Sequence, residues 1–200
     1  LHLIQNQEKV LHFRRCSLVF STIRQFLYSR GYEELNLTLL QENFEAGLAD
    51  PFITHAVEND KDMYLRLTSE LFLRKLMIAG FSKVFEIGKS FRNQGATAHM
   101  LPQFTILELY RAYASGKEME GLMRDMICEV LARLYNSASI PTSRGEIDCS
   151  GIWPAYDFKE EIEKCTGLRY DESHPVEELL CILDKVGIVH PAKVNRYTVA

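Results

Sequence analysis

The sequence predicts an α+β fold in which an antiparallel sheet is flanked by helices, and three observations lead to this expectation. A β-hairpin pattern lies at the centre of the chain, between residues 84 and 114. Segments with helical periodicity precede and follow it, and strand-like segments are grouped between them. A doubly wound parallel sheet would require regular alternation of strands and helices, so that class is disfavoured.

The N-terminal segment has the spacing of an amphipathic helix. Apolar residues recur every three to four positions over residues 8–30, and Gly31 is placed to end the helix. Leucines then alternate with polar neighbours over residues 32–40, which predicts a strand. Residues 51–55 and 63–67 are two further strand candidates around an acidic turn.

A helix of about ten residues is predicted next, beginning after Thr68 or Ser69, either of which can cap it, and ending at Gly80. Beyond the hairpin, residues 117–135 carry an apolar stripe and predict a long helix. Residues 136–151 form either a connector or an irregular hairpin. Two shorter helices are predicted over residues 158–165 and 175–186.

Composition excludes several functional classes. The net charge is −4, so no overall basic field indicates nucleic-acid binding, although a local basic patch stays possible. The five cysteines show no CxxC spacing, which favours reduced thiols and argues against a zinc site or another metal site. No apolar run approaches the roughly 20 residues that span a bilayer, so we expect no membrane association and a cytoplasmic protein, with an organelle matrix as the alternative.

The motifs of several enzyme classes are also missing from the sequence. Neither GxxxxGK[ST] nor GxGxxG occurs, which disfavours a P-loop or a dinucleotide-binding domain. HExxH and GxSxG are absent as well, which removes most hydrolase classes.

The hairpin carries most of the residues whose side chains could bind a charged or planar ligand. Arg92 is suited to bidentate contact with a phosphate or carboxylate, and Phe104 could stack on a base. Glu70 and Glu108, with Tyr110 beside them, could hold an ammonium group. The alternation along both arms does not settle which face is core. On the pattern alone, the simpler interpretation is a solvated arginine–glutamate pair with Phe104 in the core.

A family resemblance reverses that preference. The segments FRNQG, at 91–95, and PQFTILELYRAYA, at 102–114, strongly resemble motif 2 of the class II aminoacyl-tRNA synthetases, specifically the lysyl-tRNA synthetases. Residues 1–34 are similar to the motif 1 helix of that family, and residues 51–92 to the stretch that leads into motif 2. The resemblance implies a class II synthetase-like antiparallel sheet flanked by helices. It also implies a catalytic-core segment over residues 1–140 and an insertion between motifs 2 and 3 over residues 141–200.

The implied reaction is ATP-dependent activation of lysine to lysyl-adenylate and its transfer to tRNA, with Mg²⁺ as cofactor. Carried over by position, the resemblance makes Arg92 the catalytic residue at the ATP α-phosphate and the lysine carboxylate. The remaining implied contacts are ATP binding by Gln94 and Phe104, and lysine binding by Glu70, Glu108 and Tyr110. The implied partners are lysine, tRNA and a second copy of the chain, which would dimerise through the N-terminal helix region.

The chain also departs from the family pattern. Gln94 and Gln103 replace glutamates, Met100 and Leu101 replace a His-Asn pair, and Thr38 replaces the motif 1 proline; the loop 45–47 differs as well. No motif 3 follows, so we expect the magnesium ligands to lie outside this chain, which alone does not complete an active site. These departures motivate a second hypothesis, a non-catalytic synthetase-like protein for binding or dimerisation. A third is the related ligase that attaches lysine to an elongation factor, because Thr68-Ser69-Glu70 partly matches its TSPE segment.

Overall fold

The computed structural model describes residues 4–44, 49–94, 100–167, 175–185 and 187. The chain divides into two compact units, Leu1–Ser150 and Gly151–Ala200. In order, the elements of the first unit are α1 (Gln7–Tyr28), β1 (Glu33–Glu34), β2 (Leu40–Gln41), β3 (Ile53–Ala56), β4 (Lys61–Leu65), α2 (Glu70–Ile78), β5 (Lys83–Phe91), β6 (Gln103–Arg111), α3 (Gly116–Tyr135), β7 (Ser139–Thr142) and β8 (Gly145–Asp148). The second unit contains α4 (Phe158–Thr166) and α5 (Val176–Lys185).

The predicted α+β class is confirmed, and the central hairpin is its longest strand pair. β5 and β6 pair antiparallel without interruption from Lys83↔Arg111 to Phe91↔Gln103. β1 joins the edge of β5 in parallel, which gives the order β1-β5-β6 and departs from an entirely antiparallel sheet. A second small sheet has the order β2-β4-β3, and β7 and β8 form the hairpin that the sequence left open as one of two possibilities.

The core lies against one face of the hairpin. Phe85 belongs to a buried cluster with residues of α1 and α3, and Ile87, Leu107 and Leu109 pack against that cluster. Residues directly opposite each other in an antiparallel pair share a face. The other face therefore carries Val84, Glu86, Gly88 and Ser90 of β5 beside Tyr110, Glu108, Ile106 and Phe104 of β6. The interpretation from the pattern alone, which put Phe104 in the core, is wrong, because the ring is half-buried on the face away from the cluster.

The strand predicted over residues 32–40 is interrupted. Only its first part pairs with β5, where the backbone N–H of Leu35 donates to the carbonyl of Phe85 over 2.9 Å. The next inward-facing N–H, that of Leu37, donates instead to the Glu86 side chain at 3.0 Å. The carbonyl of Leu39 then accepts from Arg66 at 2.9 Å. A side-chain carboxylate thus takes the place of a strand partner, and the segment passes from one sheet to the other.

The predicted helices are confirmed with shifts of one or two residues at their ends. Gly31 has a φ of +76°, as its place after α1 requires. α3 begins with a capping box, in which Ser115 and Glu118 satisfy each other's backbone N–H groups. Hydrogen bonds from the Ser115 backbone and hydroxyl lower the pKa of Glu118.

The five cysteines are free thiols, as expected. Among the helices within the described ranges, none is long and apolar enough to cross a membrane.

Candidate active site

Glu108 on β6 is tied to the beginning of α2. Its carboxylate accepts hydrogen bonds from the Thr68 hydroxyl, the Ser69 backbone N–H at 3.1 Å and the Ser69 hydroxyl at 2.7 Å. Ser69 occupies the N-cap position of α2, yet its side chain makes no cap bond because its hydroxyl is used by Glu108. Thr68 supplies a local bond instead, since its oxygen accepts from the Glu70 N–H at 3.2 Å. The positive end of the helix therefore meets a carboxylate held by three donors.

Glu70 and Tyr110 lie beside this junction and share a partner. The Glu70 carboxylate forms an ion pair with Arg74 one helical turn later, and Arg74 also hydrogen-bonds the Tyr110 hydroxyl. Burial raises the pKa of Tyr110, the Arg74 hydrogen bond opposes that rise, and the charges of Glu70 and Glu108 add to it. The pKa of Arg74 is raised, first by its hydrogen bond to Tyr110 and then by the charge of Glu70. Three of the predicted site residues are thus brought together around the first turns of α2.

Arg92 and Phe104 form a second group at the open end of the hairpin. The Arg92 guanidinium carbon lies 5.1 Å from the centroid of the Phe104 ring, within the range of a cation–π contact. The backbone N–H of Arg92 donates to the Pro102 carbonyl at 2.9 Å, which fixes the start of the loop. Arg92 and Phe104 line a cavity of about 350 Å³ together with Gln94, Met100 and Leu101.

A buried ion pair supports the face that carries these side chains. Arg66 is inaccessible to solvent, and its Nη1 lies 3.0 and 2.9 Å from the two carboxylate oxygens of Glu86. Its Nε donates to the Lys89 carbonyl at 2.8 Å. Glu86 is paired directly opposite Glu108 in the hairpin register. Because Arg66 compensates the charge of Glu86, the two glutamates can occupy adjacent strands without the repulsion that like charges there would cause.

The two groups lie along one strand face. Phe104 and Glu108 are four residues apart on β6, which corresponds to about 14 Å at the usual rise per residue. A ligand with a planar ring at one end and an ammonium group at the other could therefore contact both groups. Gln103 is exposed on the opposite face of the strand, away from Phe104. The altered loop 45–47 and His99 lie outside the residues that the structure describes.

The sequence prediction missed several residues that shape the site. Arg74 was not among the predicted site residues, although its spacing of four residues from Glu70 is the usual signal of an ion pair. Thr68 and Ser69 were predicted as caps and as part of a TSPE-like segment, and not as partners of Glu108. Arg66 and Glu86 gave no signal at all, because their pairing depends on how β4 approaches β5.

Comparison with known proteins defines the class to which this fold and site belong. A family model described as "tRNA synthetases class II (D, K and N)" matches residues 1–190. The chain therefore belongs to the class II tRNA synthetase family that includes the D, K and N members.

Two relatives of the chain are both named as the lysine-specific member of that family. The chain is 34% identical over 196 residues, 98% of its length, to a protein named lysine–tRNA ligase from Clostridium perfringens (strain 13 / Type A), of which the match covers 39%. It is 37% identical over 188 residues, or 94% of the chain, to the lysine–tRNA ligase of Thermotoga sp. (strain RQ2), and this match covers 37% of that protein. The chain thus spans about two fifths of the length of the curated relatives it matches.

Proposed function

We propose that this chain is the motif 1 and motif 2 segment of a lysine–tRNA ligase, which activates lysine with ATP and transfers it to tRNA. The observation that carries the proposal is the placement of Phe104, Glu108 and Tyr110 on one face of β6, with Arg92 at one end and Glu70 at the other. This arrangement offers a ring for stacking, a guanidinium and an acidic pocket, which is formed by Glu70, Glu108 and Tyr110. The three features follow one another in the order in which adenine, phosphate and the lysine ammonium group would need them. The relatives named lysine–tRNA ligase support the same assignment.

In this proposal Arg92 is the catalytic residue. Its guanidinium would contact the α-phosphate and the lysine carboxylate, and it would stabilise the charge that develops at phosphorus as the carboxylate attacks. Phe104 would stack on the adenine, and Gln94 would contribute a polar contact from the same cavity. The contact between Arg92 and Phe104 would keep the phosphate site next to the base site. Catalysis would then depend on positioning and electrostatics, without a covalent enzyme intermediate.

The lysine side of the site would be formed by Glu70, Glu108 and Tyr110. All three offer acceptor atoms to an ammonium group, which can only donate hydrogen bonds. The three donors on Glu108 hold its carboxylate in one orientation and leave acceptor positions on its two oxygens. A pocket with this charge favours lysine over the acidic or neutral amino acids that other members of the family use.

Magnesium is the cofactor that the family implies for this reaction. Within the described ranges, no group of three or more His, Cys, Asp or Glu side chains is arranged to hold a metal ion. The described residues therefore offer no cluster of side chains that would hold the ion without the phosphates of a nucleotide.

The proposed macromolecular partners are tRNA and a second copy of the chain, in the cytoplasm. α1 presents apolar side chains to solvent, with Phe13 61% and Leu11 46% exposed. Such a face on a long helix is suited to contact with another protein surface, which supports dimerisation through α1.

Amino-acid-dependent ATP–pyrophosphate exchange by the intact protein tests the proposal. We expect exchange with lysine and none above background with aspartate or asparagine. The carboxylates of Glu70 and Glu108 attract an ammonium group and repel the acidic side chain of aspartate, and the neutral amide of asparagine lacks the charge that they attract. Exchange with aspartate or asparagine in place of lysine would assign the chain to another member of the family.

A second candidate is a synthetase-like protein without catalysis. The observation that favours it is the apolar lining of the cavity by Met100 and Leu101, which offer no hydrogen bonds to a nucleotide. Absence of exchange with every amino acid would support this candidate. If lysine supports exchange, an assay with tRNA and with elongation factor as alternative acceptors separates the tRNA ligase from the protein ligase.

A further inference from the structure

Arg74 contacts two of the three residues that would bind lysine. Its guanidinium forms an ion pair with the Glu70 carboxylate and hydrogen-bonds the Tyr110 hydroxyl. Arg74 reaches these partners from the second turn of α2, and its side chain is 61% exposed while that of Glu70 is 46% exposed. Charges in this position are partly screened by solvent. The ion pair is therefore weak, and another cation can replace Arg74 as the partner of Glu70.

The contacts of Arg74 are of the kind that a substrate ammonium would make. A guanidinium has only donors, so Arg74 uses acceptor positions on the Glu70 carboxylate and on the Tyr110 oxygen. A lysine ammonium also has only donors and needs the same acceptors. The two cations compete most directly for the Glu70 carboxylate, with which Arg74 forms its ion pair.

Glu108, the third of the residues that would bind lysine, has different partners. Glu108 is held by Thr68 and Ser69, which are neutral donors at the beginning of α2, so its charge faces the helix N-terminus while that of Glu70 is paired with a cationic side chain. Arg74 therefore cancels one of the two negative charges of the acidic pocket, that of Glu70, while Glu108 keeps its own.

We propose that Arg74 is an affinity-setting residue that stands in for the substrate ammonium on Glu70 and Tyr110, so that lysine binds by displacing it. This inference rests on the proposed function, because it assumes that the acidic pocket binds lysine. It goes beyond the proposed function because it makes Arg74 an internal competitor, which weakens lysine binding and leaves the nucleotide site unaffected. The competition also restricts the pocket to ligands whose cation can outcompete a guanidinium.

The test is lysine binding by the intact protein carrying Arg74→Met, measured by calorimetry and compared with the wild type. Methionine keeps much of the side-chain length and suits a helix, but it has no charge and no donor. We expect the Kd for lysine to fall about fivefold, the upper range for an exposed ion pair, and the Kd for ATP to stay unchanged. The gain should shrink in high salt, because it comes from a screened charge.

Arg133→Met is the matched control. Arg133 forms an ion pair with Glu129 at the same spacing of four residues, and the two side chains are 58% and 45% exposed, nearly the values of the Arg74 pair. That pair lies on α3, away from the acidic pocket, so its loss should leave the Kd for lysine unchanged.

The outcomes separate this inference from the proposed function. If the wild type binds lysine and Arg74→Met binds it equally or more weakly, Arg74 is not a competitor and the inference is overturned, while the proposed function stands. If neither protein binds lysine, both fail. If only Arg74→Met binds lysine, the competition is stronger than expected and the inference is supported.

Discussion

Replacing Arg92 with alanine in the intact protein is expected to lower lysine-dependent ATP–pyrophosphate exchange by about 10²–10³-fold, the usual effect of removing one donor from a developing oxyanion. Arg92 is exposed, and its backbone bond to Pro102 does not involve the side chain. The loss should therefore appear in kcat/KM and leave the unfolding midpoint unchanged. Arg92→Lys should recover only part of the activity, because an ammonium cannot make the bidentate contact of a guanidinium.

Lys89→Ala is the control for this prediction. Lys89 lies on β5, on the face opposite to the one that carries Glu86 and Ser90, where its ammonium donates to Thr105 at 2.7 Å. Both substitutions remove one positive charge from the hairpin, and only Arg92 lies on the face that carries Phe104 and Glu108. Equal losses from the two variants would show that the overall charge of the hairpin, and not a contact of Arg92, drives the effect.

Gly88→Ala is expected to destabilise the protein by about 3 kcal/mol, through the buried ion pair beneath the site. A Cβ at position 88 would collide with Nη2 of Arg66 and would lie 2.9 and 3.0 Å from Cδ and Oε1 of Glu86. Arg66 cannot swing aside, because its guanidinium is fixed by Glu86 and by the Lys89 carbonyl. The measurement is the change in denaturant midpoint of the intact protein.

Two further variants show whether the cost comes from the ion pair. Gly121 lies within α3 and a Cβ there would meet nothing within 4 Å, so Gly121→Ala should be neutral or stabilising by up to about 1 kcal/mol. In an Arg66→Met background, the guanidinium that collides with the new methyl group is gone, and Gly88→Ala should then cost much less. A cost that is undiminished in that background would place the strain elsewhere in the hairpin.

The parts of the fold that could be predicted from sequence are those determined by local pattern. α1, α2, α3 and the central hairpin follow from periodicity and turn residues, and their observed bounds differ only slightly from those predicted. The segment 32–40 could not be predicted, because its hydrogen bonds depend on distant partners. Leu37 bonds a side chain of β5, and Leu39 bonds the segment that follows β4.

The candidate site was likewise predicted only in part, because some of its contacts depend on how distant segments meet in the fold. The sequence of the hairpin offered Arg92, Phe104 and Glu108 as candidates, and resemblance to a family favoured a binding role for them. The structure places them on one strand face or beside it. The pattern alone had favoured Phe104 in the core, because alternation does not tell which face the helices cover. Arg74 was missed as a site residue, because only the fold brings Tyr110 within its reach.

Competition between lysine and norleucine for the intact protein tests the ammonium pocket most directly. Norleucine has the same straight aliphatic side chain without the terminal ammonium, so it cannot donate to the acceptors of the acidic pocket or displace Arg74 from Glu70. Because a site built to hydrogen-bond a substrate group rejects analogues that lack it, we predict that lysine binds and that norleucine binds at least about 10²-fold more weakly. Equal binding of the two amino acids, or binding of norleucine alone, would contradict the assignment of Glu70, Glu108 and Tyr110 to an ammonium pocket.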